Sequence, residues 1–321
     1  MDSRSASPQI NMRLASIDIG TNTILMLIAD VKSDGTISVI EDQHIIARLG
    51  KGVDKHGVIQ QETFHRVHNI LAKLKNISDT DNVQQLTACG TSALRDAANR
   101  QEFIAFIKER LSIDIQILSG QEEAELTYLG TISEYLSNSR SDKYAVLDIG
   151  GGSTELVEGN GMNIASAVSI DIGSVRLTER ILKKSPPDNS AIEDALQFVH
   201  EHLQFVPVLS PAAKLVGVAG TLTTLAALDL RLTEFDRNLI NRHSLTLEII
   251  ENIFQELRPL TLEQLRSYPQ IHHSRADIIL AGIIILKEIM RKLNSSAITV
   301  SERGLRYGIL LDKARKFINA L

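Results

Sequence analysis

The segment at residues 147–157, LDIGGGSTELV, constrains the fold of this chain more than any other stretch. The apolar run that enters it is typical of a buried strand, and Asp148 ends that strand. Three glycines, Gly150, Gly151 and Gly152, then let the backbone turn and approach a ligand closely. Backbone N–H groups in such a turn can bind an anion, and carboxylates beside it suit hydrated Mg²⁺. The segment therefore predicts a hairpin for phosphate and metal, with a β-hairpin that binds no ligand as the alternative.

Residues 14–28, LASIDIGTNTILMLI, repeat the same order of features near the N-terminus. An apolar strand leads to Asp18, then to Gly20 with two threonine hydroxyls, and a second apolar strand follows. Internal similarity of this kind indicates one structural unit used twice. We therefore expect two hairpins that face each other across a cleft. A third glycine turn, VGVAGT at residues 216–221, precedes a helical segment and fits a second phosphate or nucleotide contact.

Four further segments accompany the two hairpins along the chain. They are ACGTSALRDAANR at residues 88–100, LSGQEEAELTYLG at 118–130, DIGSVRLTE at 171–179 and SERGLRYG at 301–308. In this order, the segments resemble the exopolyphosphatase and guanosine pentaphosphate phosphatase (Ppx/GppA) family, within the superfamily of sugar kinases, Hsp70 and actin. The resemblance extends from about residue 14 to residue 308.

The resemblance implies an α/β fold of duplicated actin-like (ribonuclease H-like) domains. Each domain is expected to hold a mixed sheet flanked by helices, with the active site in the interdomain cleft. Alternating strands and helices along the sequence independently favour α/β layers, and 321 residues are enough for two domains. The expected boundaries are a disordered tail at 1–11, a first lobe at 12–121 with a closing helix at about 305–321, and a second lobe at 122–304.

Two residues are predicted to be catalytic. Arg95 follows an apparent strand-to-helix junction, where a guanidinium and a helix N-terminus can bind an anion together. Glu123 is the second of two adjacent glutamates, and the resemblance implies that this position acts on the attacking water. The residues alone leave another interpretation open, because acids at the start of a helix also interact favourably with its positive end.

Hydrolysis of a phosphoanhydride needs an oriented water, a divalent cation and donors around the phosphoryl oxygens. The hairpins and the resemblance assign phosphate binding to Gly20, Thr21, Asn22, Thr23, Gly150, Gly151, Gly152, Ser153, Thr154, Gly220 and Thr221. They assign Mg²⁺ or another divalent cation, held through water, to Asp18, Asp148 and Glu155. Other cations that could contact a polyanionic substrate are Arg48, Lys51, Arg176, Arg303 and Arg306. Of these, Arg48 and Lys51 fit a solvated loop better when the residues are taken without the resemblance.

Composition excludes several functional classes. The formal net charge of −5 does not favour nucleic-acid binding, which normally shows a basic domain. No run of apolar residues is long enough to predict a membrane span. A single cysteine, Cys89, excludes an intrachain disulfide framework and favours a reducing, cytoplasmic location. The resemblance implies a homodimer as a common state.

Two local predictions concern the connecting segments. Residues 93–111 are predicted to form one helix, and the charged stretch at 230–241 is predicted to form a lid or a loop beside the substrate.

The predicted function is release of orthophosphate from inorganic polyphosphate, or of the 5′ γ-phosphate from guanosine pentaphosphate. The chain stops soon after the closing helix, so that by resemblance it is a short form, and short polyphosphate chains are the expected substrates. Two alternatives stay open: a small-molecule kinase or ATPase of the same superfamily, and an alarmone-binding regulator with little turnover.

Overall fold

A computed structural model of the chain describes residues 11–135, 142–204, 206–210 and 213–318. The predicted tail at 1–11 lies outside these residues apart from Asn11, which begins the first strand. Within the described ranges, no helix is both long and apolar enough to cross a membrane.

The first sheet, sheet I, has five strands in the order β3-β2-β1-β4-β5. The strands are β1 (Asn11–Ile19), β2 (Thr23–Lys32), β3 (Ile37–Ile46), β4 (Gln85–Gly90) and β5 (Ile115–Ile117). β1, β2 and β3 form an antiparallel meander, whereas β4 runs parallel to β1 and β5 runs parallel to β4. The parallel pairs place the carboxyl ends of β1 and β4 at one edge, beside the turn that follows β1.

Four helices belong to this half: α1 (Val53–His56), α2 (Gln61–Thr80), α3 (Ser92–Asp96) and α4 (Arg100–Leu111). α2 and α4 cover one face of sheet I, where Phe64 and Phe103 pack edge to face at 5.1 Å between ring centroids. The prediction of a single helix over residues 93–111 is wrong. Ala97 is extended, and the Asn99 side chain bonds both the N–H and the carbonyl of Ile59 at 2.9 Å, which ends α3 before α4 begins.

The second sheet, sheet II, has six strands in the order β10-β11-β9-β6-β7-β8. The strands are β6 (Lys143–Ile149), β7 (Thr154–Asn160), β8 (Asn163–Ile170), β9 (Lys214–Val218), β10 (Ser244–Thr246) and β11 (Ala297–Val300). From β8 to β11, the order and directions repeat those of sheet I, and β10 adds an antiparallel edge strand. The repeat confirms the predicted α/β class with two mixed sheets of one topology.

Seven helices belong to the second half: α6 (Ser174–Arg180), α7 (Asn189–Leu203), α8 (Ala219–Asp229), α9 (Arg237–Ile240), α10 (Leu247–Leu257), α11 (Leu262–Arg266) and α12 (Ile279–Lys292). α12 is the buried centre of this group, since almost every residue from its start to Met290 is covered. The predicted lid at 230–241 contains α9, whose Arg237 pairs with Asp42 of β3 at 2.9 Å.

Two helices lie between the sheets: α5 (Gly120–Ile132) and α13 (Leu305–Ile318). Tyr128 of α5 packs in the apolar cluster of sheet II, whereas Leu310 of α13 packs in that of sheet I. The helices cross in backbone contact, because a Cβ on Gly308 would lie 1.8 Å from the carbonyl oxygen of Leu126. We call sheet I with α1–α4 and α13 the first lobe, and sheet II with α5–α12 the second lobe. This division, at 12–121 with the closing helix and 122–304, is a proposal that the packing of α5 and α13 supports.

Candidate active site

The two predicted hairpin turns have the same backbone geometry. The N–H of Gly20 donates to the carbonyl of Thr23 at 3.0 Å, and the N–H of Gly150 donates to that of Ser153 at 3.0 Å. A Cβ at Gly20 would lie 2.9 Å from the carbonyl oxygen it bonds, and a Cβ at Gly150 would lie 3.0 Å from its own. The tight turn therefore requires glycine at the same position in both halves.

The turns lie against each other across the cleft. A Cβ on Gly152 would come within 2.3 Å of the Ser92 hydroxyl and 3.0 Å of the Thr21 hydroxyl. Among the described residues, no protein acceptor bonds the N–H groups of Thr21, Asn22, Gly151 or Gly152. Unpaired N–H groups in two facing turns form a concavity that suits a phosphoryl group.

The carbonyl side of the glycine-rich turn is bound by α6. The N–H of Ser174 donates to Gly150 at 2.9 Å, and the N–H of Val175 donates to Gly151 at 2.8 Å. The start of α6 therefore fixes the turn through its oxygens and leaves its N–H groups free.

Four acids gather beneath the turns: Asp18, Glu123, Asp148 and Glu155. Asp148 lies directly opposite Glu155 in the β6–β7 ladder, and Asp18 has the same place in β1. Burial, and next the charge of Glu123, raise the pKa of Asp18 and of Glu155 well above their ordinary values and that of Asp148 to about 7. The raised values follow first from burial and second from the mutual repulsion of neighbouring carboxylates.

The carboxylate set suits a divalent cation that is held through water. In the described ranges, no three His, Cys, Asp or Glu side chains are placed to hold one ion directly. Asp18 Oδ1 is nonetheless buried with no hydrogen-bond partner within those ranges, and Glu155 Oε1 accepts a hydrogen bond from the Ser169 hydroxyl at 2.7 Å. Hard oxygen ligands, partly unpartnered and repelling one another, fit a hydrated Mg²⁺, which keeps several of its waters.

The two adjacent glutamates at the start of α5 have different environments. The exposed carboxylate of Glu122 accepts the N–H of Ser119 at 2.8 Å, while the Ser119 hydroxyl accepts the N–H of Glu122, which forms a capping box. Glu123 is only 8% exposed and contacts the guanidinium of Arg95. Burial raises the pKa of Glu123, although the charge of Arg95 and the hydrogen bond from it act in the opposite direction. The helix-start role belongs to Glu122, so Glu123 is free for another role.

Arg95 lies near the end of α3 and connects several parts of the site. Besides Glu123, its guanidinium donates to the carbonyl of Leu118 at 3.0 Å and lies 3.5 Å from the Ser153 hydroxyl. A side chain of the first lobe thus contacts both the acid of α5 and the glycine-rich turn of the second lobe.

Some predicted phosphate-binding residues have other contacts. The hydroxyl of Thr154 is fully buried and donates to the carbonyl of Ile172 at 2.6 Å. Thr221 is 4% exposed and packs on Gly282 of α12. Gly220 is covered by the guanidinium of Arg275, since a Cβ there would lie 1.4 Å from Arg275 Nη1. The third glycine turn is therefore present, but an arginine covers it.

Three of the five additional cations form ion pairs. Arg48 pairs with Asp277 at 2.9 Å, Arg176 pairs with Asp54 at 2.6 Å, and Arg306 pairs with Asp42 at 3.1 Å. Arg303 donates to the Ser133 hydroxyl at 3.2 Å, and Lys51 is exposed. Arg48, Arg176 and Arg306 thus have carboxylate partners within the chain.

A model of the Ppx/GppA phosphatase family matches residues 27–317. The chain belongs to this family.

Related Ppx/GppA proteins cover nearly the whole chain. Exopolyphosphatase 2 of Mycobacterium tuberculosis (strain ATCC 25618 / H37Rv) is 36% identical, over 94% of this chain and 98% of its own length. The guanosine-5′-triphosphate,3′-diphosphate pyrophosphatase of Vibrio cholerae is 27% identical, over 93% of this chain and 58% of its own length. The crystal structure of the Aquifex aeolicus Ppx/GppA family member superposes with a TM-score of 0.81, at 31% identity, over 96% of this chain and 99% of that one.

Sequence reasoning missed two residues of this Ppx/GppA site. Ser92 touches Gly152, and its position three residues before Arg95 was the available signal. Arg275 has no ion-pair or hydrogen-bond partner for its guanidinium in the described part of the chain, and burial lowers its pKa to about 10. An arginine just before a long apolar helix was the signal for Arg275.

Proposed function

We propose that this chain hydrolyses a terminal phosphoanhydride, releasing orthophosphate from inorganic polyphosphate, the 5′ γ-phosphate from guanosine pentaphosphate, or both. The observation that carries the proposal is Glu123: a buried carboxylate, paired with Arg95, beside two facing turns with free N–H groups. The names of the Mycobacterium and Vibrio relatives support this substrate class.

The residues of the site have separate roles in phosphoryl transfer. Free N–H groups of the two turns, at Thr21, Asn22, Gly151 and Gly152, bind the oxygens of the terminal phosphoryl group. Arg95 neutralises charge that develops on that group, which is a large part of such catalysis. Glu123 accepts a hydrogen bond from the attacking water and orients it, and its raised pKa makes it a better proton acceptor than an ordinary carboxylate.

A divalent cation would be held through water by Asp18, Asp148 and Glu155. When bound, it supplies neutralisation of the charge on the transferred phosphoryl group and on the leaving phosphate. The burial of these carboxylates beside one another, with mutual repulsion between them, supports this assignment.

The test is phosphate release with Mg²⁺ from short and long polyphosphate, guanosine pentaphosphate and ATP. Glu123→Gln should bind substrate but turn over at least about 10²-fold more slowly, the usual cost of losing a general base. Glu122→Gln is the matched control, because it removes an adjacent carboxylate that only caps α5; its turnover should stay close to that of the wild type.

The substrate ranking decides between polyphosphate and guanosine pentaphosphate. Equal turnover in Glu123→Gln and the wild type would disprove the role of Glu123. Consumption of ATP only with an added small acceptor would replace the hydrolase by a kinase, and tight guanosine pentaphosphate binding without release would indicate a regulator.

A further inference from the structure

Arg176 of α6 joins the glycine-rich turn to the opposite lobe. Its Nε donates to the carbonyl of Gly152 at 2.8 Å, its Nη1 to Asp54 at 2.6 Å and its Nη2 to Asp96 at 2.6 Å. Gly152 lies in the second lobe, whereas Asp54 and Asp96 lie in the first. One guanidinium, with 11% of the side chain exposed, therefore holds both sides of the cleft.

Two of the three partners of Arg176 belong to the candidate site or adjoin it. Gly152 carries one of the free N–H groups, and its Cα hydrogens face Ser92 of α3. Asp96 is the last residue of α3 and directly follows Arg95. While Arg176 keeps these contacts, the glycine-rich turn is therefore held at a fixed place relative to Arg95.

We propose that Arg176 is a positioning residue that couples closure of the two lobes to placement of the glycine-rich turn against Arg95. This inference rests on the proposed function. Each of the three nitrogens of Arg176 already has a protein acceptor, so the guanidinium organises the site and does not bind the substrate.

The arrangement needs an arginine. A guanidinium offers donors in a rigid planar fork, which here reaches acceptors on three separate elements. A lysine carries the same charge on one nitrogen and cannot hold a turn carbonyl and two separated carboxylates in this geometry. Lysine at position 176 should therefore keep part of the attraction between the lobes but lose the coupling.

The chain also provides a matched control, Arg180 on the same helix. Its Nε and Nη2 donate to Asp54 at 2.6 and 2.7 Å, but it contacts neither Gly152 nor Asp96. Arg180→Ala thus removes an interlobe ion pair of similar geometry and leaves the glycine-rich turn untouched.

The experiment combines steady-state kinetics with a distance measurement between the lobes. Spin labels are attached at Lys73→Cys in α2 and Glu193→Cys in α7, both exposed, while the native Cys89 is buried. Arg176→Lys and Arg176→Ala should lengthen or broaden the distance distribution and lower kcat by roughly 10- to 100-fold, with a smaller change in KM, because a misplaced group costs turnover. Arg180→Ala should change kcat by less than about threefold, and added guanidinium should partly restore Arg176→Ala.

Each other result contradicts the coupling. Lowered kcat with an unchanged distance would mean that Arg176 acts on the turn alone, and a changed distance with normal kcat would mean that closure does not place the turn. Equal effects of Arg176→Lys and Arg180→Ala would mean that both arginines only form ion pairs between the lobes. If the wild type released phosphate from no substrate, the proposed function would fail, and the distance measurement would still decide whether Arg176 holds the lobes closed.

Discussion

At the scale of single residues, two buried acids beside α13 have opposite electrostatic environments. Burial alone would raise the pKa of Asp42, but its hydrogen bond with His44 and the charge of Arg306 outweigh that effect and lower the pKa to about 2. Burial raises the pKa of Glu302, and neither of its oxygens has a hydrogen-bond partner, although Arg237 lies 3.7 Å away. Asp42 thus stabilises the fold as an anion, whereas ionised Glu302 costs stability.

These environments predict opposite effects of neutral substitutions. Asp42→Asn should destabilise the protein by about 3–5 kcal/mol at pH 7.5, because it leaves the buried Arg306 without its carboxylate. Its stabilising contribution is present above the unfolded pKa of about 4 and is lost only as the pH falls through about 2. Glu302→Gln should instead stabilise at pH 7.5, and most of that gain should be lost at pH 4.5, which is close to the ordinary pKa of a glutamate. Urea unfolding at pH 7.5 and 4.5 checks both signs; a destabilised Glu302→Gln at pH 7.5 would contradict this account.

At the scale of elements, the crossing of α5 and α13 gives an unusual expectation for glycine. Alanine normally improves a helix interior by about 1 kcal/mol over glycine. Gly308→Ala should do the reverse and destabilise by about 3 kcal/mol, because its Cβ would collide with the backbone of Leu126. Gly304→Ala is the control, since its Cβ would meet nothing closer than 3.8 Å and should cost no more than about 1 kcal/mol. Thermal unfolding measures both, and equal stability of the two variants would rule out close backbone packing.

The elements also show what the sequence can and cannot predict. Both hairpins and their acids could be predicted, because strand, acid and glycine turn lie within a few residues of one another in the sequence. Their repetition also predicted two sheets of one topology. The break between α3 and α4 was missed because the side chain of Asn99 bonds Ile59, a contact with a distant loop. The pairing of Arg176 with Asp54 was missed for the same reason, because nothing near Arg176 in the sequence indicates it. The resemblance, and not the local sequence, selected Glu123 over Glu122, whose capping box is visible only in the structure.

At the scale of the whole molecule, the lobes are joined by two kinds of contact. The α5–α13 crossing at one side is apolar backbone packing, while the loop that leads into α1 is held by polar contacts to the second lobe. In that loop, Arg48 pairs with Asp277 at 2.9 Å, and the N–H of Gly52 donates to Glu179 at 3.0 Å. The crossing is therefore suited to act as a hinge. The loop holds the lobes together through polar contacts, which salt can weaken.

Raising the ionic strength should consequently change the distance between the lobes. Raising salt from about 0.05 M to about 1 M shortens the screening length to about 3 Å, which weakens the partly exposed pair of Arg48 and Asp277 far more than the buried contact of Arg95 with Glu123. The distance between labels on α2 and α7 should lengthen or broaden with salt in the protein without substrate, where screening of substrate binding plays no part. The double variant Arg48→Gln, Asp277→Asn already lacks this pair and should start from a broader distribution and respond less. A distance that does not change with salt in the wild type, or an equal response in the double variant, would mean that the pair of Arg48 and Asp277 does not hold the lobes together.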